Sequence, residues 1–264
     1  MRIDLVDVTA GEGADALHPT TVGFSSGSVT LVATETAQRP TLLALIASGR
    51  MIPEHGSVTR DPEVSGDELR ASVAVVDAPD ISEPAAGLRL DGIVQEELMF
   101  AGLPSSSKAV LDTLDTLGAR DFARTPIENV PATVRLHVLA ELAAMREDVD
   151  ALVLTSPDRH GGDPLEWYPV AEGLAGRGYA VLVIAGAASV ALLDAALAEP
   201  EPTVTPKHVL PSEPDDIAPE SEPEVELEPE LEPEVELEAE PEPDPEPDLV
   251  EFDIPAPAEE EDTK

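Results

Sequence analysis

The sequence predicts an α/β fold: a parallel sheet covered by helices on both faces. Four short runs carry that reading, each almost wholly apolar: SVTLVA at 28–33, ASVAVVD at 71–77, DALVLTS at 150–156 and YAVLVIA at 179–185. Continuous apolar runs suit strands buried on both faces, whereas half-exposed strands alternate. Helical stretches separate them, and alternation of strand and helix is the sequence pattern of a parallel sheet. Charge then bounds the domain. Of 55 acidic and 15 basic residues, 26 acids and only 2 lysines fall in residues 199–264, with 15 of the 27 prolines. So much proline and glutamate cannot bury enough apolar surface to offset the entropy of ordering. Residues 1–198 read as one compact domain and 199–264 as a disordered acidic tail.

Composition also excludes. A net charge of −40 argues against nucleic acid, whose binding depends on neutralising phosphates with Lys and Arg. With no cysteine there is neither a disulfide nor a thiolate metal site. The opening MRIDLVDV alternates as a strand and lacks the apolar core of a signal peptide. The longest uncharged apolar stretch, 179–193, is too short to span a bilayer. A soluble cytoplasmic chain is expected.

In chain order, Arg2 to Val8 is a strand and Gly11-Glu12-Gly13 a turn. His18 reads as a loop residue. The strand 28–33 leads through a loop, 33–41, into the helix TLLALIAS, closed by Gly49 at its C-cap. Strand, tight loop and helix in that order would form a phosphate loop, which needs glycines so that backbone N–H groups can converge on an anion, then Lys and Ser/Thr. Residues Ala33 to Thr41 contain no glycine. Arg39 could contact a phosphate, but is no geometric substitute for a lysine. Side chains at Thr36 and Gln38 would fill the anion's space. Pro40 removes an N–H from the helix start, though it suits a first helical turn.

The stretch 22–59 resembles the opening of an ATP-binding-cassette (ABC) transporter ATPase domain. Gly27-Ser28-Val29, Thr41-Leu42-Leu43 and Pro53-Glu54-His55-Gly56-Ser57-Val58 carry the match. By order of elements the likeness extends over residues 1–198. It implies a P-loop NTPase-like core with a helical subdomain at about 91–146, and places Gln38, Arg39 and Thr41 at degenerate phosphate-loop positions. The family has an aromatic for adenine after the first strand, and residues 9–19 hold no Phe, Tyr or Trp. Where a glutamine ends the second buried strand, Asp77 or a neighbour stands, read as a solvated cap without a role. Asp80, in a turn after Pro79, is read in the same way.

The insertion reads as amphipathic helices at 91–103 and 105–120, the second capped by serine and closed near Gly118. The family's L-S-G-G-Q signature is replaced by Val130-Pro131-Ala132-Thr133-Val134. The helix after it presents Val134, Val138 and Leu142 on one face, and His137 reads as surface or half-buried. Where the family has D-E-P, with aspartate holding Mg²⁺ and glutamate polarising water, the chain has Thr155-Ser156-Pro157. His160-Gly161-Gly162-Asp163 resembles the next family loop, with Asp163 kept as a helix N-cap before Pro164. LEWYPVAEGLAGRG is a glycine-terminated helix whose start Pro169 places near Tyr168. The sensor histidine after the fourth strand is replaced by Gly186-Ala187, and 188–198 is a closing apolar-faced helix.

The resemblance implies an ATP-binding subunit, while the replaced motifs imply no catalytic residue, no metal site and no cofactor. The expected role is a regulatory or structural partner of a membrane permease or of another, competent ABC ATPase, held at the inner face of the membrane through that partner. Two alternatives stand: a working subunit with divergent motifs that binds Mg-ATP, and an unrelated α/β interaction domain. In the tail, Leu249, Val250, Phe252 and Ile254 form an apolar island. It reads equally as a docking peptide or as an apolar cluster in a solubilising segment.

Overall fold

A computed structural model describes residues 1–13, 16–34, 39–60 and 66–198. The domain boundary at 198/199 and the whole tail lie outside them, as does Gln38. All four apolar runs are strands of one parallel sheet. β3 (Ser28–Ala33), β5 (Val73–Val76), β6 (Ala151–Thr155) and β7 (Ala180–Ala185) lie in the order β3-β7-β6-β5. Every residue of β6 and β7 is buried. Alternate side chains enter two cores. Val181, Val183, Leu152 and Leu154 face one with Trp167, and Leu182, Ile184, Ala151 and Val153 face the other.

The second core is closed by α1 (Arg39–Ala47) and by a three-stranded antiparallel sheet of β2 (Leu17–Ser25), β1 (Arg2–Ala10) and β4 (His55–Arg60) in that order. Here the structure corrects the sequence reading, because His18 lies on β2 and is exposed. Leu17 and Phe24 are the only two buried residues of β2, and Pro19 sits within it, as an edge strand allows. A bulge in β1 puts Asp7 in the left-handed region at φ 49°, and Gly56 of β4 crosses it. A Cβ at Gly56 would collide with the Val6 carbonyl, so the resemblance's glycine is demanded by packing.

The strand expected at 71–77 is shorter because α2 (Gly66–Ser72) runs up to it and Asp77 turns to φ 56°. Helices α3 (Leu90–Phe100), α4 (Ser107–Thr116) and α5 (Ala132–Ala144) occupy the expected helical segment. Ser106 caps α4, its side chain accepting from the Ala109 N–H at 3.3 Å, and Gly118 follows at φ 65°. Val138 and Leu142 of α5 are buried and His137 is half-buried.

The helix after β6 begins earlier than Pro169 suggested. α6 (Pro164–Gly176) starts at Pro164, with Asp163 Oδ1 accepting from the Leu165 N–H at 2.9 Å, so Pro169 lies inside it. Trp167, 0 % exposed, and Tyr168 anchor this turn in the core, and that burial outweighs the missing N–H. After β7, α7 (Ala187–Ala198) buries only Val190 and Leu193. Pro169 is exposed, so Pro169→Ala should restore the bond to the Leu165 carbonyl at no cost in packing. The urea-unfolding midpoint should rise, by about 1–3 kcal/mol in stability. A fall would mean that the bend itself is needed for packing.

Candidate functional site

All four parallel strands end at one edge, the place where α/β sheets bind ligands. On the β3 side, Thr34 N–H donates to the Ala185 carbonyl at 2.9 Å, so the chain leaves the sheet beside β7. Arg39 and Thr41 come together in the first turn of α1. Arg39 Nε donates to the Ala16 carbonyl at 2.9 Å, and the buried Thr41 hydroxyl has no hydrogen-bond partner among the described residues. Pro40 is buried in the same turn, as a residue without an N–H can be.

At the end of β6, Thr155 is 1 % exposed and its hydroxyl has no partner among the described residues. Ser156 adopts the left-handed conformation, φ 48°, and its N–H donates to the Ile184 carbonyl at 2.7 Å. The carboxylate nearest these two in sequence, Asp158, points to the start of α7. Its Oδ2 accepts from Gly186 N–H at 2.8 Å and from the Ser189 hydroxyl at 3.0 Å. The donors at that helix start thus already hold an anion.

Asp77 overturns its reading as a solvated cap. It is 4 % exposed and forms a two-pronged pair with Arg135 of α5, itself 2 % exposed. Arg135 Nε donates to Oδ2 at 2.9 Å and Nη2 to Oδ1 at 2.7 Å. Such fork-to-carboxylate geometry is the strongest form of the bond. Arg159, from the single turn Pro157–His160, adds a bond to Oδ1 at 3.1 Å, reaches the Thr155 carbonyl at 3.0 Å, and also donates to the backbone carbonyl of Asp77. Glu83 lies 3.0 Å from Arg159 and 3.5 Å from Arg135, and His160 Nε2 is 3.1 Å from Asp77 Oδ2. Neither arginine stands out in the sequence by motif. One signal exists: Arg135 is in register with Val138, Leu139 and Leu142, a lone charge in an apolar stripe that must find an acid.

Oxygen and nitrogen atoms of Asp77, Glu83 and His160 lie within 4.8 Å of one another, a spacing that could hold a metal. Both carboxylates already carry guanidinium partners, so a cation would have to displace them. Burial is the largest influence on the Asp77 carboxyl and on its own raises its pKa. The Arg135 and His160 side chains and the Arg159 charge outweigh burial and hold the group below its usual range. A cavity of about 490 Å³ lined by Met51, Ile52, Pro53 and Leu69 lies off the far end of α1 and contains none of these groups.

Because the folded pKa of Asp77 lies below the unfolded one, its stabilisation is present above the unfolded value and is lost as pH falls through the folded value. Asp77→Asn should therefore cost about 3 kcal/mol at pH 7, and progressively less below about pH 4. Urea titrations of both proteins across that range measure the gap. A gap independent of pH would contradict this charge accounting.

No family profile matches the chain, and no curated protein matches it. Solved structures do. A nucleotide-free ATP-binding cassette from an ABC transporter is 14 % identical over 73 % of this chain and 85 % of its own, with a TM-score of 0.54. A dimeric bacterial ABC transporter cassette is 17 % identical over 72 % and 90 %, at 0.53. An ATP-binding subunit of an ABC transporter is 18 % identical over 72 % and 82 %, at 0.50. At such identities the likeness is one of fold, and the domain described here has the fold of the ABC transporter ATP-binding cassette.

Proposed function

We propose that this chain is a non-hydrolysing relative of ABC ATP-binding subunits, a structural or regulatory partner of a membrane permease or of a competent ATPase. One observation carries the reading. At the end of β6, where the resemblance expects a metal-holding aspartate and a water-polarising glutamate, stand Thr155, buried, and Ser156, in a left-handed turn. Neither hydroxyl ionises near neutral pH, and Mg²⁺ is held chiefly by carboxylate and phosphate oxygens.

The residues around the edge fit Mg-ATP poorly. Arg39, at the lysine position, spends Nε on a backbone carbonyl. Pro40 offers no N–H at the start of α1, and the helix-start donors at Gly186 and Ser189 are taken by Asp158. The alternative, a divergent working subunit, draws on Thr41, whose hydroxyl lacks a partner among the described residues.

Both readings share partners. One similar structure is a dimeric cassette and another an ATP-binding subunit of a transporter. Pairing with a permease or a second cassette is the corresponding proposal here, with a place at the cytoplasmic face of the membrane. Among the described residues no helix is long and apolar enough to cross a membrane.

Mg-ATP at millimolar concentration should leave the melting temperature of the full chain unchanged. A rise of several degrees, abolished in Arg39→Ala, would establish binding and favour the divergent working subunit. For the tail, deleting residues 249–255 should abolish co-purification with the permease or ATPase partner. Retained co-purification would return Leu249, Val250, Phe252 and Ile254 to a solubilising segment.

A further inference from the structure

We propose that the buried Asp77–Arg135 pair, with the half-buried Arg159 and the exposed Glu83 beside it, is a built-in clamp that holds the helical arm, residues 90–129, on the parallel sheet with no ligand bound. The inference rests on the non-hydrolysing reading of the same edge and goes beyond it, by stating what the charged groups there do instead of chemistry.

Each guanidinium joins more than one element. Arg135 reaches in two directions, its Nε and Nη2 bonding Asp77 at the end of β5 and its Nη1 lying 3.4 Å from the Ile127 carbonyl in the arm. Arg159 ties the carbonyl ends of β5 and β6 to one another and to Glu83, midway along the connection from β5 to α3. The first half of that connection folds on itself, with Ser82 Oγ accepting from Ala78 N–H at 3.0 Å. Its second half is tied to the arm, because Ile127 N–H donates to the Leu88 carbonyl at 2.8 Å and, where the arm begins, Leu90 N–H donates to the Thr125 carbonyl at 3.1 Å. Sheet and arm thus meet through the cluster and through the apolar contacts of α5.

A buried ion pair tolerates only one geometry. Apolar side chains can slide and repack, but an arm that moved would take the Ile127 carbonyl away from the buried Arg135 guanidinium and leave one of its donors without an acceptor. Asp77 is held in a left-handed backbone conformation at φ 56°, rare for a non-glycine residue and retained where the surroundings over-determine it. Asp77 and Arg135 are 58 residues apart along the chain, so the cluster closes only in the folded domain. A surface fixed in this way is available to a partner without nucleotide.

Amide hydrogen exchange on the full chain tests this. In the wild type, amides of α3 and of the first turn of α5 should exchange at the same slow rates with and without Mg-ATP. Asp77→Asn should speed exchange across 90–129 by about tenfold or more, leaving β1, β2 and β4 unchanged. Should that variant fail to fold, the charge-free pair Asp77→Leu with Arg135→Met keeps the buried volume apolar and should show the same selective loosening. Equal acceleration throughout the domain, or none in the arm, overturns the clamp, as does wild-type arm protection that rises with Mg-ATP. Turnover of Mg-ATP by the wild type with no change in arm exchange would sink the non-hydrolysing reading alone and leave the clamp standing.

Discussion

Complete burial of β6 and β7 is the constraint from which the architecture follows. A strand covered on both faces favours apolar side chains, and β6 and β7 are apolar except for Thr155 at the end of β6, with their backbone groups paired on both sides. Two cores are then unavoidable. Helices α3 to α6 fill one, while α1 and the antiparallel sheet fill the other. Polar chemistry is driven to the strand ends, and Asp77, Thr155, Ser156 and Gly186 all lie there.

The same constraint explains what sequence could show. Continuous apolar runs have one comfortable location, so all four parallel strands were legible, as were the serine cap of α4 and the aspartate cap of α6. The antiparallel sheet was half hidden. β2 and β4 are both edge strands, and LHPTTVGFS and HGSVTR carry few residues that burial obliges to be apolar. Pro169 misled for a related reason, since a proline signals a helix start only when packing elsewhere does not outweigh it, and Trp167 does.

The charged cluster was illegible in a different way. Asp77 at a strand end looks like any solvated acid, and its meaning depends on Arg135, 58 residues away. Local pattern has no means of pairing the two. The arginine left a trace as an interruption of the apolar stripe of α5, which says that a buried acid must exist but not which. Arg39 and Thr41, the described members of the expected phosphate-loop set, show the opposite limit. Resemblance named their position in the fold, yet residue type alone could not say that the Arg39 side chain turns to the Ala16 carbonyl.

Position at the strand ends also explains how such a fold can outlast its chemistry. Side chains inside β6 and β7 are fixed by two cores at once, and replacing one would cost a cavity or a strained rotamer. Side chains at the last strand position and just beyond it answer more to local backbone and charge. On the proposed non-hydrolysing reading, Thr155 and Ser156 stand there in place of two acids without disturbing the sheet, provided the charges left behind find partners. Asp158 finds the start of α7, and Asp77 finds two arginines. On the proposed non-hydrolysing reading, a site without its ligand chemistry would still have to neutralise every buried charge it keeps, and the proposed clamp would fix the arm by the same contacts. Stability and rigidity then come from the same few contacts, so a protein of this kind can lose turnover while keeping the shape by which a partner would know it.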